Sequence, residues 1–185
     1  YINGKWVSPL EGREFKVIDP SNEESCAKIS LGGKKDVDMA VSAAKKAFET
    51  WAFSKKEERL ELLEKLYVVY KKRWAEMAKL ISMEMGAPMK FSTELQAATG
   101  ASHIKSFKNI LKDFKFEKDL GEEKKNQKLL YEPKGVCALI TPWNWPINQV
   151  NLKVIPALAS ACTIVLKPSE IAPLSSMLLA EMIDE

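Results

Sequence analysis

Gly135-Val136-Cys137-Ala138-Leu139-Ile140, then Thr141-Pro142-Trp143-Asn144-Trp145-Pro146, and after a helix-length gap Thr163-Ile164-Val165-Leu166-Lys167-Pro168-Ser169-Glu170, decide the fold. Each apolar run is short, rich in β-branched residues and bounded by Gly or Pro, which reads as a buried strand. Between the runs, Ile147 to about Ala161 reads as a helix, and another helix begins near Pro173. Strand, helix, strand, helix is the signature of a parallel sheet, because parallel strands need a crossover. The expected class is α/β: a parallel Rossmann-like sheet, incomplete, preceded by a β-hairpin region and a helical segment.

Working outward, residues 1–34 read as strands. Asn3-Gly4 sits between apolar flanks as a tight hairpin turn, and Phe15-Lys16-Val17-Ile18 runs into the turn Asp19-Pro20-Ser21-Asn22. Ala27 to Leu31 is a third strand, stopped by Gly32-Gly33. Residues 35–127 read as the helical segment of a cofactor domain. Asp36 is placed to cap a helix striped by Val37, Ala40, Val41, Ala44 and Phe48. Glu57 to Met85 repeats Leu60, Leu63, Leu66, Tyr67, Tyr70, Trp74, Met77 and Leu80 at helical spacing and ends at Gly86-Ala87-Pro88. A further helix, about Glu94 to Phe114, carries the single histidine, His103, read as structural. Residues 128–185 open the βαβ sheet with a strand at Leu129-Leu130-Tyr131.

Composition narrows the functional classes. Of 185 residues, 46% are hydrophobic and 29% charged, as in an ordinary soluble domain. No apolar run approaches the roughly 20 residues that span a bilayer. The net charge of +3 is spread along the chain, and the lysine-rich window Lys105 to Lys128 is interrupted by Asp113, Glu117, Asp119, Glu122 and Glu123. That is a solvated face, so neither nucleic acid nor membrane is an expected partner. Cys26, Cys137 and Cys162 have no metal-ligand spacing, so no metal site is expected. The chain begins at Tyr1 without an initiator Met or an apolar leader, and with an odd cysteine count it fits a reducing cytoplasm. Cys137 and Cys162 read as small, inert core residues.

Ligands of an open parallel sheet bind outside the carboxyl ends of its strands. At the first such end, two prolines and two tryptophans stiffen Ile140-Thr141-Pro142-Trp143-Asn144-Trp145-Pro146 around one neutral amide. A rigid amide N–H can stabilise a developing oxyanion, although an Asn there also suits a plain turn. At the second, Lys167 and Glu170 stand where an ammonium and a carboxylate could bracket a ribose, the carboxylate disfavouring a 2′-phosphate. Read alone, the same pair is a surface ion pair.

Together these segments, with Pro156-Ala157-Leu158-Ala159, Tyr1-Ile2-Asn3-Gly4-Lys5-Trp6, the Asp19-Pro20 turn and the Ala43 to Trp51 helix, closely resemble the aldehyde dehydrogenase superfamily. The resemblance implies oxidation of an aldehyde to a carboxylic acid with NAD, NADP being an option that Ser169 leaves room for. A cysteine thiolate would form a thiohemiacetal, then a thioester, released by water that a glutamate activates. Asn144 resembles the oxyanion amide of that family. Lys167 and Glu170 resemble its ribose ligands, with Ser169 between them, and Ile140, Thr141, Pro142 and Trp143 its cofactor loop. Trp145, Asn148, Gln149 and Leu152 match aldehyde-pocket positions, and the polar Asn148 and Gln149 point to a small or polar aldehyde. Lys153 matches a lysine suspected of proton relay, a structural lysine being the alternative. The complete enzyme would be a homodimer or homotetramer.

The family's nucleophile segment, Gly-Gln-x-Cys, and its general-base segment, Glu-Leu-Gly-Gly, do not occur in these residues. The expectation is therefore a portion of an oxidoreductase that supplies cofactor and oxyanion residues but neither the Cys nor the Glu base, and does not turn over aldehyde alone. The alternative is a naturally short, non-catalytic protein that keeps a nucleotide-binding or subunit-pairing surface.

Overall fold

A computed structural model describes residues 1–124 and 126–185. Ile2 and Lys5 bridge across Asn3 and Gly4, whose φ values of 53° and 72° define the expected hairpin turn. Strands β1 (Arg13–Asp19) and β2 (Glu24–Leu31) form an antiparallel ribbon. Four helices follow: α1 (Lys34–Trp51), α2 (Lys56–Lys72), α3 (Trp74–Met85) and the short α4 (Met89–Phe91). A π-helical turn, Ser92–Gln96, leads into α5 (Ala97–Asp113). Strands β3 (Glu117–Asp119) and β4 (Lys128–Leu130) pair antiparallel in a small sheet of their own. Then β5 (Val136–Ile140), α6 (Pro146–Ala159) and β6 (Thr163–Lys167) make a right-sized βαβ unit whose strands pair in parallel, and α7 (Leu174–Asp184) follows.

Four expectations need correction. Asp36 does not cap α1: the cap is Gly33, and Asp36 sits inside the first turn, accepting the amides of Gly33 and Leu10 at 2.8 Å each. The apolar stripe of α1 is partial, since Val37 is exposed. The periodic run from Glu57 to Met85 is two helices, broken at Arg73, whose guanidinium is held by Glu76 and by Glu181 of α7. The break turns the chain while the apolar stripe continues across it, which is why periodicity alone reads through it. Finally, β5 and β6 are half-buried rather than buried, because a two-stranded sheet leaves each strand one open edge.

The core lies between helices. Leu63, Leu66 and Tyr70 of α2, Met77 and Ile81 of α3, Ile104 of α5, Val154 and Ile155 of α6 and Leu179 and Met182 of α7 form one cluster. Each large side chain so buried contributes about 1.5–3 kcal/mol. Three buried polar ties fix how α6 and α7, which flank the parallel strands, sit on this cluster. Arg59 donates to the Ala159 carbonyl at the carboxyl end of α6 (2.9 Å) while stacking over Phe116 at 4.6 Å. Asn151 of α6 donates to the Gly100 carbonyl of α5 at 3.0 Å. Glu84 of α3, wholly buried, accepts the first amides of α7, those of Leu174 and Ser175. Among the described residues no helix is long and apolar enough to cross a membrane.

Burial drives the Glu84 carboxyl up to about 7, against the opposing pull of the α7 amides. An acid whose folded value lies above its unfolded one, 4.5, contributes stability below that lower value and loses it as pH climbs to about 7. The stability difference between wild type and Glu84→Gln should therefore move against the wild type between pH 4.5 and 7, then level off. Chemical denaturation of both proteins at several pH values checks this; a difference flat across that window contradicts it.

Gly100 faces Tyr70, which is fully buried with its hydroxyl donated to the Ala97 carbonyl at 2.9 Å. A Cβ at Gly100 would meet that hydroxyl at 2.3 Å and Ile147 at 3.0 Å. Overpacking of this kind costs about 1–3 kcal/mol, more than most of the roughly 1 kcal/mol helix propensity that Ala gains over Gly. Gly100→Ala should lower the melting temperature, and a stabilised variant would show that α5 and α6 can move apart.

Candidate functional site

The two strand tips finish side by side. Ile140 pairs with Lys167 across the ladder, and the Thr141 amide donates to the Lys167 carbonyl at 3.3 Å. The loop entered at Thr141 and the turn entered at Pro168 thus leave one edge of the same parallel pair, where such sheets place ligands.

In the first segment Thr141 is only 5% exposed, and its hydroxyl has no hydrogen-bond partner among the described residues. Around it Ile140 and Trp143 are 70% and 51% exposed, an apolar rim beside an unsatisfied polar atom. Pro142 and Asn144 are exposed. Trp145, half-buried, rests edge-on against Phe91 with ring centres 5.7 Å apart. Pro146 then starts α6 at its first position, where a missing N–H costs nothing.

In the second segment the Lys167 ammonium lies 2.9 Å from the Glu170 carboxylate and 3.3 Å from the Pro168 carbonyl. Hydrogen bonding from Lys167 holds the Glu170 carboxyl below the ordinary range, with a smaller pull from Arg13. Both side chains are open to water, so the pair adds little stability; its effect is to hold a charged carboxylate in one place. Ser169 is tied locally, its hydroxyl oxygen accepting the Ile171 amide at 3.2 Å.

Beyond the loop, Asn148, Gln149, Leu152 and Lys153 lie on one side of α6. His103 of α5 stands 2.7 Å from the Asn148 side-chain oxygen. The Lys153 ammonium is 3.4 Å from both the backbone and side-chain oxygens of Gln149. Leu152 is exposed. Two residues that touch the candidate site, His103 at Asn148 and Phe91 at Trp145, were not expected there. Gly100, one turn before His103, carried a signal: a small residue marks a close approach of α5 to another helix.

The cysteines differ from expectation in part. Cys137 is half-buried, and burial raises its thiol. Cys162 is buried, which pushes its thiol up, but hydrogen bonds from the Ser160 hydroxyl and from the Gly135 and Lys134 backbone outweigh that, leaving it lowered. Apolar neighbours in sequence do not reveal backbone amides arriving from the adjacent strand. Among the described residues no group of His, Cys, Asp or Glu could hold a metal ion.

The parallel strand tips set a Pro-Trp-Asn loop beside a Lys-Glu pair, and the sequence around them places the chain in a known group. Residues 6–185 match the aldehyde dehydrogenase family, and the chain belongs to that family. It is 49% identical over its full length to the 3-succinoylsemialdehyde-pyridine dehydrogenase of a Pseudomonas species, covering 38% of that protein. Its structure superposes on an aldehyde dehydrogenase from Bartonella henselae with a TM-score of 0.97 at 55% identity, covering 100% of this chain and 39% of that one. Aldehyde dehydrogenase C from Pseudomonas syringae, crystallised as a mutant with NAD+ and octanal, superposes with a TM-score of 0.95 at 39% identity, over 100% of this chain and 37% of that one. The chain thus spans little more than a third of the length of the relatives it matches.

A buried hydroxyl without a partner gains nothing from being polar. Thr141→Val, nearly the same shape, should leave the melting temperature unchanged or raise it by the equivalent of about 1 kcal/mol. A clear loss of stability would show that the hydroxyl is satisfied in the protein itself.

Proposed function

We propose that the polypeptide to which these residues belong oxidises a small, polar aldehyde to its acid with NAD, and that this portion binds the nucleotide and stabilises the oxyanion. The observation that carries the reading is the in-register end of the parallel pair, Ile140 against Lys167, which sets the Asn144 loop beside the Lys167–Glu170 turn. The residues suit a nucleotide: a charged carboxylate for vicinal ribose hydroxyls, an ammonium to donate to one of them, apolar Ile140 and Trp143 to lie along it, and the unsatisfied Thr141 hydroxyl beneath. When bound, NAD supplies the hydride acceptor.

The protein's own groups then have separate tasks. Glu170, kept ionised by Lys167, orients the ribose and repels a 2′-phosphate, so NAD is favoured over NADP. Asn144, exposed at the tip of a loop stiffened by Pro142 and Pro146, donates an N–H to the oxygen that becomes negative when a thiolate attacks the aldehyde carbon. Trp145, Asn148, Gln149 and Leu152 form a wall of the aldehyde pocket, with Pro142, Trp143 and Ser169 closing the nucleotide side. Lys153, its ammonium on Gln149, keeps the proton-relay role that family membership suggests. The Pseudomonas relative is named for a succinoylsemialdehyde-pyridine, which supports an aldehyde carrying further polar atoms. Assembly as a homodimer or homotetramer is part of the same reading.

Steady-state kinetics on the full-length polypeptide test the assignments. Glu170→Gln should raise the Michaelis constant for NAD with little change in turnover, because the carboxylate acts on binding. Asn144→Ala should do the reverse, lowering turnover by roughly 10²–10³ as loss of one oxyanion donor does. Unchanged turnover in Asn144→Ala sinks the oxyanion assignment.

A further inference from the structure

We infer that His103 is a specificity-setting positioning residue: by holding the oxygen of Asn148 it turns the amide N–H₂ toward the pocket, which selects aldehydes bearing a carboxylate at their far end. The inference rests on the function proposed above and names its substrate class.

An asparagine amide offers an acceptor and a double donor, and which one a ligand meets depends on what holds the other. Here His103 Nε2 lies 2.7 Å from Asn148 Oδ1, so the imidazole carries its proton on Nε2 and donates it. The oxygen is thereby committed, and what the Asn148 amide has left to offer a ligand is its N–H₂. Gln149 repeats the arrangement. Its side-chain oxygen faces the Lys153 ammonium at 3.4 Å, so the group it has left to offer is its N–H₂. Two adjacent amides on the half-open side of α6 thus both have their oxygens engaged and their donors left for a ligand, with a cation beside one of them. His103 is itself oriented from its own helix, lying against the Phe107 ring at 6.4 Å.

A surface with two donors and one positive charge favours an anionic acceptor, and a carboxylate accepts from two donors at once. A hydrocarbon tail there would strip water from both amides without replacing it. Asn148 lies in the first turn of α6, which opens just after the Asn144 loop, so the carboxylate would sit a short way from the reacting carbonyl. The fitting class is the short ω-carboxy aldehyde.

The test uses the full-length enzyme with 4-oxobutanoate and, as a neutral match, butanal. The wild type is expected to favour 4-oxobutanoate in kcat/KM by at least about tenfold. His103→Leu should raise KM for 4-oxobutanoate about tenfold, leaving its kcat, the KM for butanal and the KM for NAD within about twofold. His103→Gln, whose amide can donate in place of Nε2, should recover most of the loss. Asn148→Leu should reproduce it, and the double variant should add nothing, since the residues act as one unit. A wild-type preference for butanal, equal KM rises for both aldehydes, or failure of the Gln variant to recover would overturn the inference while leaving the aldehyde dehydrogenase reading intact. Absence of NAD-linked oxidation of any aldehyde would overturn both.

Discussion

The register of one strand pair governs the site. Parallel strands cannot be joined by a tight turn, so β5 and β6 require α6 between them, and their carboxyl ends must emerge on the same side. Because Ile140 pairs with Lys167, a rigid neutral amide and a fixed carboxylate, far apart in sequence, share one edge of the molecule. A slip of one residue would exchange the faces of every side chain on the slipped strand and carry the Thr141 hydroxyl away from its present burial.

That register is held from the helical layer. The apolar cluster of α2, α3, α5, α6 and α7 supplies most of the stabilisation, but apolar packing is not directional. Direction comes from a few buried polar contacts. Arg59 fastens the carboxyl end of α6, Asn151 fastens its middle to α5, and Glu84 fastens the start of α7 just after the Ser169–Glu170 turn. The Thr163 hydroxyl joins the first residue of β6 to the Ala44 carbonyl of α1 at 2.9 Å. Leaving any of these partners alone in the interior would cost more than the bond contributes, so the arrangement is close to all-or-none. The Thr141 hydroxyl, one of several buried polar atoms without a partner among the described residues, lies at the strand tip, where the proposed ligand would sit.

Much of the architecture was legible because local rules coincide with tertiary need. Asn3-Gly4 specifies its own turn, Gly86 ends α3 in the left-handed conformation at φ 73°, and Pro146 opens α6. The two apolar runs from Val136 and Thr163 form the predicted parallel pair. The rules failed where a distant residue decided the outcome. A periodic helix breaks at Arg73, where Glu181 pairs with it from the other end of the chain, and β3 forms in a charged stretch because β4 offers it a partner. Cys162 looked inert because the backbone donors around it belong to the Lys134–Gly135 approach to β5. Among the site residues, Lys167, Glu170 and Asn144 could be named from the motif. The contacts of His103 and Phe91 could not, because α5 and α4 meet α6 and the loop before it only after folding.

Sequence by itself determined the family, the βαβ order and the identity of the polar residues at the strand tips, since these follow from short-range patterns of residue type. Tertiary structure alone decided how those groups are engaged: the Asn148 oxygen is held by His103, and Glu84 is a helix cap because α7 docks on it. Hydrogen-bond direction depends on the partner that arrives. Partners from distant segments are fixed by packing, which no local pattern encodes.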